Sequence, residues 1–391
     1  MIRRDMTGEL QAAAREYPVV TVFGPRQSGK TTLVQMTFPR KPYRSLEEPD
    51  LRRAAELDPR GFLADLPSGA ILDEIQRAPQ LLSYLQGAVD LTPRPGSFIL
   101  TGSHQPAFHE AVSQSLAGRT AVLTLLPFSL DELRKYGRPW DAFDLLVHGT
   151  FPRLHDQVLE PRRFFSAYLR TYVERDVRAL INLKDLNRFQ QFLTLLAGRV
   201  GQVANYTALA SDVGVSSTTI REWISVLEAS YVLFVLPPYF ENLRKRVIKS
   251  PKIYFTDVGL ATYLLGIADR AQVARDPLRG GLYENFVIVE ILKARLNKGL
   301  RPEMYFYRDT HGNEVDLVIR RGGRLVPVEI KSASTFTGEF LAGFERFRAV
   351  VGEQRSDAGF VLYNGEETMT VKGVRILNPL RHRGVGRVAI G

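Results

Sequence analysis

Tyr17-Pro18-Val19-Val20-Thr21-Val22-Phe23-Gly24-Pro25-Arg26-Gln27-Ser28-Gly29-Lys30-Thr31 decides the fold of the first part of the chain. Its opening, residues 17–23, is uncharged and rich in β-branched residues. It closes on a Gly-Pro turn, as a buried strand does. The remainder fits G-x-x-x-x-G-K-[ST], and the helical stretch Thr32 to Met36 follows, which is the strand, loop and helix context that the motif requires. The residue types follow from the chemistry of binding a triphosphate. Gly24 and Gly29 let the backbone N–H groups of the loop curl round phosphate oxygens. Lys30 brings a point charge to the β and γ phosphates, the Thr31 hydroxyl ligates Mg²⁺, and the helix N-terminus favours the anion. Gly24, Pro25, Arg26, Gln27, Ser28, Gly29, Lys30, Thr31 and Thr32 are therefore the expected cradle for ATP. A Gly-rich turn with only a structural purpose has no need of Lys-Thr.

Two further short apolar runs end abruptly in polar residues, as parallel strands do at their carboxyl ends: Ser68 to Ile75 and Ser97 to Ser103. Strands alternating with helical stretches predict an α/β layered domain with its site at those strand ends. Ile71-Leu72-Asp73-Glu74 supplies the acids that phosphoryl transfer needs, Asp73 for the Mg²⁺ shell and Glu74 to polarise the attacking water. Leu100-Thr101-Gly102-Ser103 offers a hydroxyl to the γ-phosphate or the water, from Ser103 or Thr101, unless it is a plain Gly-Ser turn. Arg119, between a helical stretch and the apolar run Ala121 to Leu126, has two readings. It is either an arginine finger projecting into a neighbouring subunit's nucleotide site or a solvent-exposed arginine at a helix end.

The chain has 391 residues, enough for two or three domains, and its 45% hydrophobic and 24% charged residues are those of a globular protein. Lys and Arg number 52 against 42 Asp and Glu, a net charge of +10 that favours polyanionic partners. Residues 1–150 hold 17 basic and 17 acidic side chains, residues 151–280 hold 18 and 12, and residues 281–391 hold 17 and 13. The excess therefore lies behind the nucleotide motif. The chain has 0 cysteines, which excludes disulfides, thiolate metal sites and cysteine nucleophiles. No secretory signal and no run of 18 apolar residues is visible, so a soluble, cytoplasmic protein with no membrane partner is expected.

Residues 161–198 read as mostly helical. Thr207 to Trp223 has the form of two short helices joined at Gly214, with Ala210 at the crossing, Val215 and Ile220 inward, and Ser216 capping the second helix. That helix turns Ser217, Thr218 and Arg221 outward. The runs Tyr231 to Leu236 and Ile253-Tyr254-Phe255 pair as a wing, and Arg244, Lys245, Arg246 and Lys249 between them are placed for phosphates. DNA is the expected partner, and a protein-binding module is the alternative.

Glu314 to Ile319 reads as a strand that turns at Gly322-Gly323 and returns as Leu325 to Lys331. Glu329 and Lys331 share one face by the two-residue period, opposite Asp316, and Glu284 adds a carboxylate from the helix Leu282 to Ala294. Asp316 and Glu329 would hold Mg²⁺ and Lys331 would position a hydroxide for phosphodiester attack. The plainer alternatives are a surface ion pair on an edge strand, or an inherited site that only grips DNA. The pattern Glu284, Asp316, Glu329 and Lys331 is similar to the PD-(D/E)xK nuclease fold.

Gly24 to Thr32, Leu72-Asp73-Glu74-Ile75-Gln76, Leu100 to Ser103, Pro127-Phe128-Ser129 and Gly149-Thr150-Phe151-Pro152 resemble, in that order, a bacterial and archaeal group of AAA+ ATPases. Tyr172-Val173-Glu174-Arg175-Asp176 and Lys252 to Leu260 are similar to the same group, with no chemistry assigned to either. The resemblance implies an α/β chain: an AAA+ P-loop core over 1–155, a helical lid and winged helix-turn-helix over 156–280, and a PD-(D/E)xK-like α/β domain over 281–391. It implies ATP-dependent work on DNA; with the finger reading of Arg119 and the two nucleic-acid modules, the expectation is a homo-oligomer, as a ring a hexamer, that uses ATP and Mg²⁺ to remodel or translocate along duplex or branched DNA. An ATP-regulated Mg²⁺-dependent nuclease and a nucleotide-controlled protein-binding switch are the rival expectations.

Overall fold

The computed structural model describes residues 2–103, 112, 114–135, 137, 140–157, 159–173, 185–239, 250–381 and 384–390. Its first sheet contains β1 (Val19–Gly24), β2 (Tyr43–Ser45), β3 (Ala70–Asp73), β4 (Phe98–Ser103) and β5 (Thr120–Thr124), in the order β2-β3-β4-β1-β5. Every pairing in it is parallel. β1 and β4 are buried at every position, which is why both read as continuous apolar runs with no alternation. The two-residue period divides β1 between two faces. Val20 and Val22 pack with Leu10, Leu33 and Val34 from helices Thr7–Glu16 and Lys30–Thr37. Val19 and Phe23 face the other way, towards Leu81, Leu82 and Leu85 of helix Leu81–Leu91.

A second hydrophobic core starts at Leu126 and runs to Ala389, so residues 126–154 pack with later parts of the chain rather than with the first sheet. Helix Arg279–Leu296 lies in it and is buried on nearly all sides, including the polar Asn285, Glu290, Lys293 and Arg295. A helix without an exposed face has no amphipathic stripe, and each buried polar group on it must find a partner. Helices Leu186–Ala197, Tyr206–Val213 and Ser217–Ala229 form a cluster followed by β6 (Leu233–Leu236) and β7 (Lys252–Phe255), which pair antiparallel. Gly214 takes φ +73° at the turn, and the Ser216 hydroxyl accepts from the Thr219 amide at 3.0 Å. Ile220 is fully buried as expected, whereas Val215 stays partly exposed. Trp223 fills the interior against Phe189 and Phe192, at ring distances of 5.3 and 5.2 Å.

The last sheet contains β8 (Met304–Arg308), β9 (Glu314–Arg321), β10 (Arg324–Lys331), β11 (Phe360–Tyr363), β12 (Met369–Val371) and β13 (Val374–Leu377), in the order β12-β13-β11-β10-β9-β8. Arg321 and Arg324 pair across a two-residue turn whose Gly322 and Gly323 have φ +53° and +83°, the twist that joins antiparallel strands tightly. β10 lies between β9 and β11, so Glu329 and Lys331 are not on an edge strand.

Candidate functional site

The nucleotide motif stands at the carboxyl end of β1, between β4 and β5, where a parallel sheet opens its crevice. Gly24 has no room for a side chain, since a Cβ there would meet the Leu125 carbonyl oxygen at 2.1 Å. Gly29 is required for its φ of +89° as it starts helix Lys30–Thr37. No side chain caps that helix, which leaves its amide groups for a ligand. The buried Lys30 ammonium donates to the carbonyls of Gly24 at 3.0 Å and Pro25 at 2.9 Å, so the positive charge lies across the loop itself.

Asp73 ends β3 and is buried. Its carboxylate accepts from the Thr31 hydroxyl at 3.0 and 3.1 Å, from the Tyr43 phenol at 2.8 Å and from the Thr101 hydroxyl. Burial, followed by the hydrogen bond to Asp73, pushes the Tyr43 phenol above its usual range, so Tyr43 remains a donor to Asp73. Glu74 follows at φ +56°, a left-handed conformation that non-glycine residues rarely adopt and that collects at functional sites. Its Oε2 accepts from the Gln76 side-chain amide and from the Ser103 hydroxyl at 3.4 Å, and Gln76 also donates to Ser103 at 2.9 Å. Strand ends β3 and β4 thus bring Asp73, Glu74, Thr101 and Ser103 together beside Thr31. The two hydroxyls have different partners, Thr101 holding Asp73 and Ser103 holding Glu74. Sequence reasoning gave no role to Tyr43 or Gln76. The motif Asp73-Glu74-Ile75-Gln76 carried the signal for Gln76, and nothing marked Tyr43.

Arg4 was also missed. It is buried, donates to the Ser28 carbonyl of the loop at 2.6 Å and to Glu132 at 2.9 Å, and reaches the Leu126 carbonyl at 2.6 Å. Glu132 accepts further from the amides of Asp5 and Ser129. Two residues before Glu132, the Leu130 amide donates to Glu290 at 2.6 Å, and Lys293 donates to Glu290, to the Phe128 carbonyl and to the Thr150 hydroxyl. Thr150 in turn donates to Asp257 from both its amide and its hydroxyl. Burial raises the Glu290 carboxyl, and Lys293 opposes that rise. The motifs Pro127-Phe128-Ser129, Gly149-Thr150 and Thr256-Asp257-Val258-Gly259 therefore meet in one buried polar network running from the nucleotide loop to helix Arg279–Leu296. Arg119, by contrast, precedes β5 at the amino end of the sheet, away from the loop. It is held bidentate by Asp90 of its own chain at 2.5 and 2.8 Å, a contact it must exchange to reach a neighbour.

The second constellation assembles too, but around two lysines. Lys331 lies 2.5 Å from Glu329 and 3.4 Å from Asp316, and the Ile330 amide donates to Asp316 at 2.8 Å. Lys252 of β7, only 1% exposed, lies 3.0 Å from Glu284 and 2.6 Å from Glu314, and the Tyr254 phenol donates to Glu284 at 2.5 Å. Burial pushes the Glu284 carboxyl up to about 7, against the pull of Lys252. Burial and then Asp316 push Glu329 up to about 8, while Lys331 opposes the rise. Among the described residues no group of three or more His, Cys, Asp or Glu side chains is arranged to hold a metal ion. Ammonium groups already neutralise these carboxylates. Lys252 had no role in the sequence reading, because only the pairing of β6 with β7 brings it here.

In the helix pair, Thr218 and Arg221 are exposed and Ser217 partly so, with Arg221 over the Tyr206 ring at 5.2 Å. Arg244, Lys245, Arg246 and Lys249 lie outside the described residues. So do Glu174, Arg175 and Asp176. No helix among the described residues is long and apolar enough to cross a membrane.

Residues 16–134 match the family described as AAA domain, and residues 140–271 and 279–382 match two domains of unknown function, DUF8612 and DUF4143. The uncharacterized protein Rv2008c of Mycobacterium tuberculosis is 32% identical over 340 residues, which are 85% of this chain and 74% of that protein. MJ1637 of Methanocaldococcus jannaschii is 26% identical over 233 residues, 57% of this chain and 47% of its own. Among solved structures, the Walker-type ATPase PABY2304 of Pyrococcus abyssi is similar over 66% of this chain and 94% of its own, at 16% identity and a TM-score of 0.40. AMPPCP-bound DnaA of Aquifex aeolicus is similar over 57% and 85%, at 14% identity and a TM-score of 0.30. These two likenesses are too distant to carry an argument. The mycobacterial relative and the AAA domain do carry one: the chain belongs to the family of Rv2008c and is a P-loop ATPase whose AAA domain precedes two domains of unknown function.

Proposed function

We propose that this protein is a Mg²⁺-dependent ATP hydrolase that works on DNA as a homo-oligomer. The observation that carries the reading is the convergence of Lys30, Thr31, Asp73 and Glu74 at the strand ends. The loop amides and the helix N-terminus bind the triphosphate, and Lys30 turns from the loop carbonyls to the β and γ oxygens. The Thr31 hydroxyl and Asp73 carboxylate are hard oxygen donors in contact with each other, which suits Mg²⁺, and the ion when bound neutralises charge on those phosphate oxygens. Glu74 takes hydrogen-bonding hold of the attacking water, and Gln76 and Ser103 fix the direction of its carboxylate.

DNA as the working partner is supported by the basic excess behind residue 150 and by the helix pair that presents Thr218 and Arg221 to solvent. In this reading the helix pair with β6 and β7 is a winged helix, and the last sheet is a PD-(D/E)xK-like domain that grips DNA. Cleavage is left to the test rather than built into the proposal. The test is ATP hydrolysis at fixed Mg²⁺ without DNA and with duplex, single-stranded and four-way-junction DNA, the labelled DNA being followed on a gel, with Glu74→Gln as the inactive control. Acceleration by a DNA form that stays intact supports the reading. Metal-dependent cutting that disappears in Asp316→Ala replaces it with a nuclease, and absence of both binding and stimulation replaces it with a protein-binding switch. Light scattering with and without ATP tests the oligomer, and a monomer in both states removes the trans role of Arg119.

A further inference from the structure

We propose that the cleft beside helix Pro161–Tyr168 is a binding site for the phosphodiester backbone of a DNA strand, a refinement that rests on the DNA reading above. The cleft has a volume of about 450 Å³ and opens into a shallower groove of about 1040 Å³. Arg162 and Arg170 line both, and Arg163 lines the groove. All three arginines are exposed. None of their guanidinium groups has an ion pair or a side-chain hydrogen bond among the described residues.

The ordinary alternative is a solvated helix face, and what distinguishes these three arginines is that they line one continuous concavity. Arg134, Arg188, Arg199, Arg324 and Arg381 are instead paired with carboxylates. Here the carboxylate that lines the cleft, Glu160, is committed to its own helix: one oxygen accepts from the Arg162 amide at 3.0 Å and the other from the Arg163 amide at 2.9 Å. Three guanidinium groups left unneutralised around a concavity suit an anion with repeated charges, and their planar forks match phosphate oxygens two at a time. Tyr263, half-exposed in the same wall, supplies an aromatic face for a base.

The position also fits a link to ATP. Arg170 belongs to a π-helical turn, Leu169–Val173, a form that often marks functional sites. In the same turn the ring of Tyr172 lies 5.5 Å from the guanidinium of Arg26, which is in the nucleotide loop. A strand seated on Arg170 thus presses on a segment that touches the ATP cradle.

The test uses the full chain and fluorescence anisotropy with labelled single-stranded and duplex oligonucleotides, at salt concentrations from about 50 to 200 mM. Arg162→Gln/Arg163→Gln/Arg170→Gln is compared with Arg53→Gln/Arg60→Gln/Arg94→Gln, which removes the same charge from exposed positions on the first domain. The cleft variant is expected to keep its melting temperature and basal ATPase rate. It should bind DNA more weakly, with a slope of log K against log salt shallower by about 2 to 3, and lose DNA stimulation, while the control variant stays close to wild type. If wild type binds DNA and the cleft variant binds with the same slope, or both variants weaken alike, the cleft is overturned and the DNA reading stands. If wild type binds no DNA at the lowest salt, the DNA reading fails and takes the cleft with it.

Discussion

Lys252→Met gives the sharpest test of the second ionic cluster. The Lys252 ammonium contacts Glu284 at 3.0 Å and Glu314 at 2.6 Å, and its stem lies beside Phe306. At an effective dielectric of about 20, each of those contacts has a gross attraction of about 6 kcal/mol, most of it offset by the cost of taking the charges out of water. Methionine keeps the packing of the stem and removes only the charge. The variant is left with a buried Glu284 facing Glu314 and Asp316, and leaving a buried charge uncompensated costs about 3 to 5 kcal/mol. The sign with pH comes from Glu284, whose carboxyl is already raised to about 7 by burial and is held down by Lys252. Without the lysine it rises further. An acid whose folded value exceeds its unfolded value is bound more tightly as the neutral form, so its stability is present below the unfolded value and lost as pH rises through the folded one. The variant should therefore be mildly destabilised at pH 5.5 and progressively more so as pH rises past 7 towards 8.5. Trp140 and Trp223 both lie in the core that contains this cluster, so urea unfolding followed by tryptophan fluorescence reads it directly. Adding Glu284→Gln should recover more than about 1 kcal/mol as a coupling energy. A cost below about 1 kcal/mol at pH 8.5, or one independent of pH, refutes the reasoning.

Arg4→Met strips the cation from Glu132, which is fully buried, and frees the Ser28 carbonyl of the nucleotide loop. It should lower stability by about 3 to 5 kcal/mol and raise the KM for ATP, and a variant with wild-type unfolding and wild-type KM shows that the contact positions nothing. Glu329→Gln removes a carboxyl raised to about 8 by burial and by Asp316, a group that costs stability as pH climbs from its ordinary value to that one. Its stability relative to wild type should improve steadily between pH 5 and pH 8 and level off above that, as read from melting temperatures, and a constant difference contradicts the burial argument.

The features legible in the sequence were those the backbone dictates. Gly24 and Gly29 are needed for a close approach to Leu125 and for a left-handed φ, Lys-Thr follows them for the phosphates, and an acid pair ends a buried strand. Such requirements act within a few residues, so they leave a local pattern. The hairpin Gly322-Gly323 was legible for the same reason. Arg4, Tyr43 and Lys252 were not, because each is defined by a partner distant in sequence: Glu132, 128 positions on from Arg4, Asp73, 30 on from Tyr43, and Glu284, 32 on from Lys252. The nuclease-like quartet was legible as a set of residues but not as a state. Its spacing on β9 and β10 brings Asp316, Glu329 and Lys331 together, yet the ion pairs that Lys252 makes with Glu284 and Glu314 come from another sheet.

The buried polar residues of helix Arg279–Leu296 obey the same accounting. Glu290 and Lys293 would each be costly inside a core, and they are tolerated because their partners are the Leu130 amide, the Phe128 carbonyl and Thr150, all from the segment that adjoins the ATPase sheet. Glu284 lies six residues earlier, about 9 Å along the same helix, and its partners come from β7. The one helix is therefore tied to residues 128–132 and Thr150 through Glu290 and Lys293, and to β7 through Glu284. Residues 128–132 are where Arg4 brings its contact with the Ser28 carbonyl. The nucleotide loop and the second ionic cluster are thus joined by a series of buried polar contacts in which every lost partner is expensive, which is why helix Arg279–Leu296 tolerates so many polar residues inside a core.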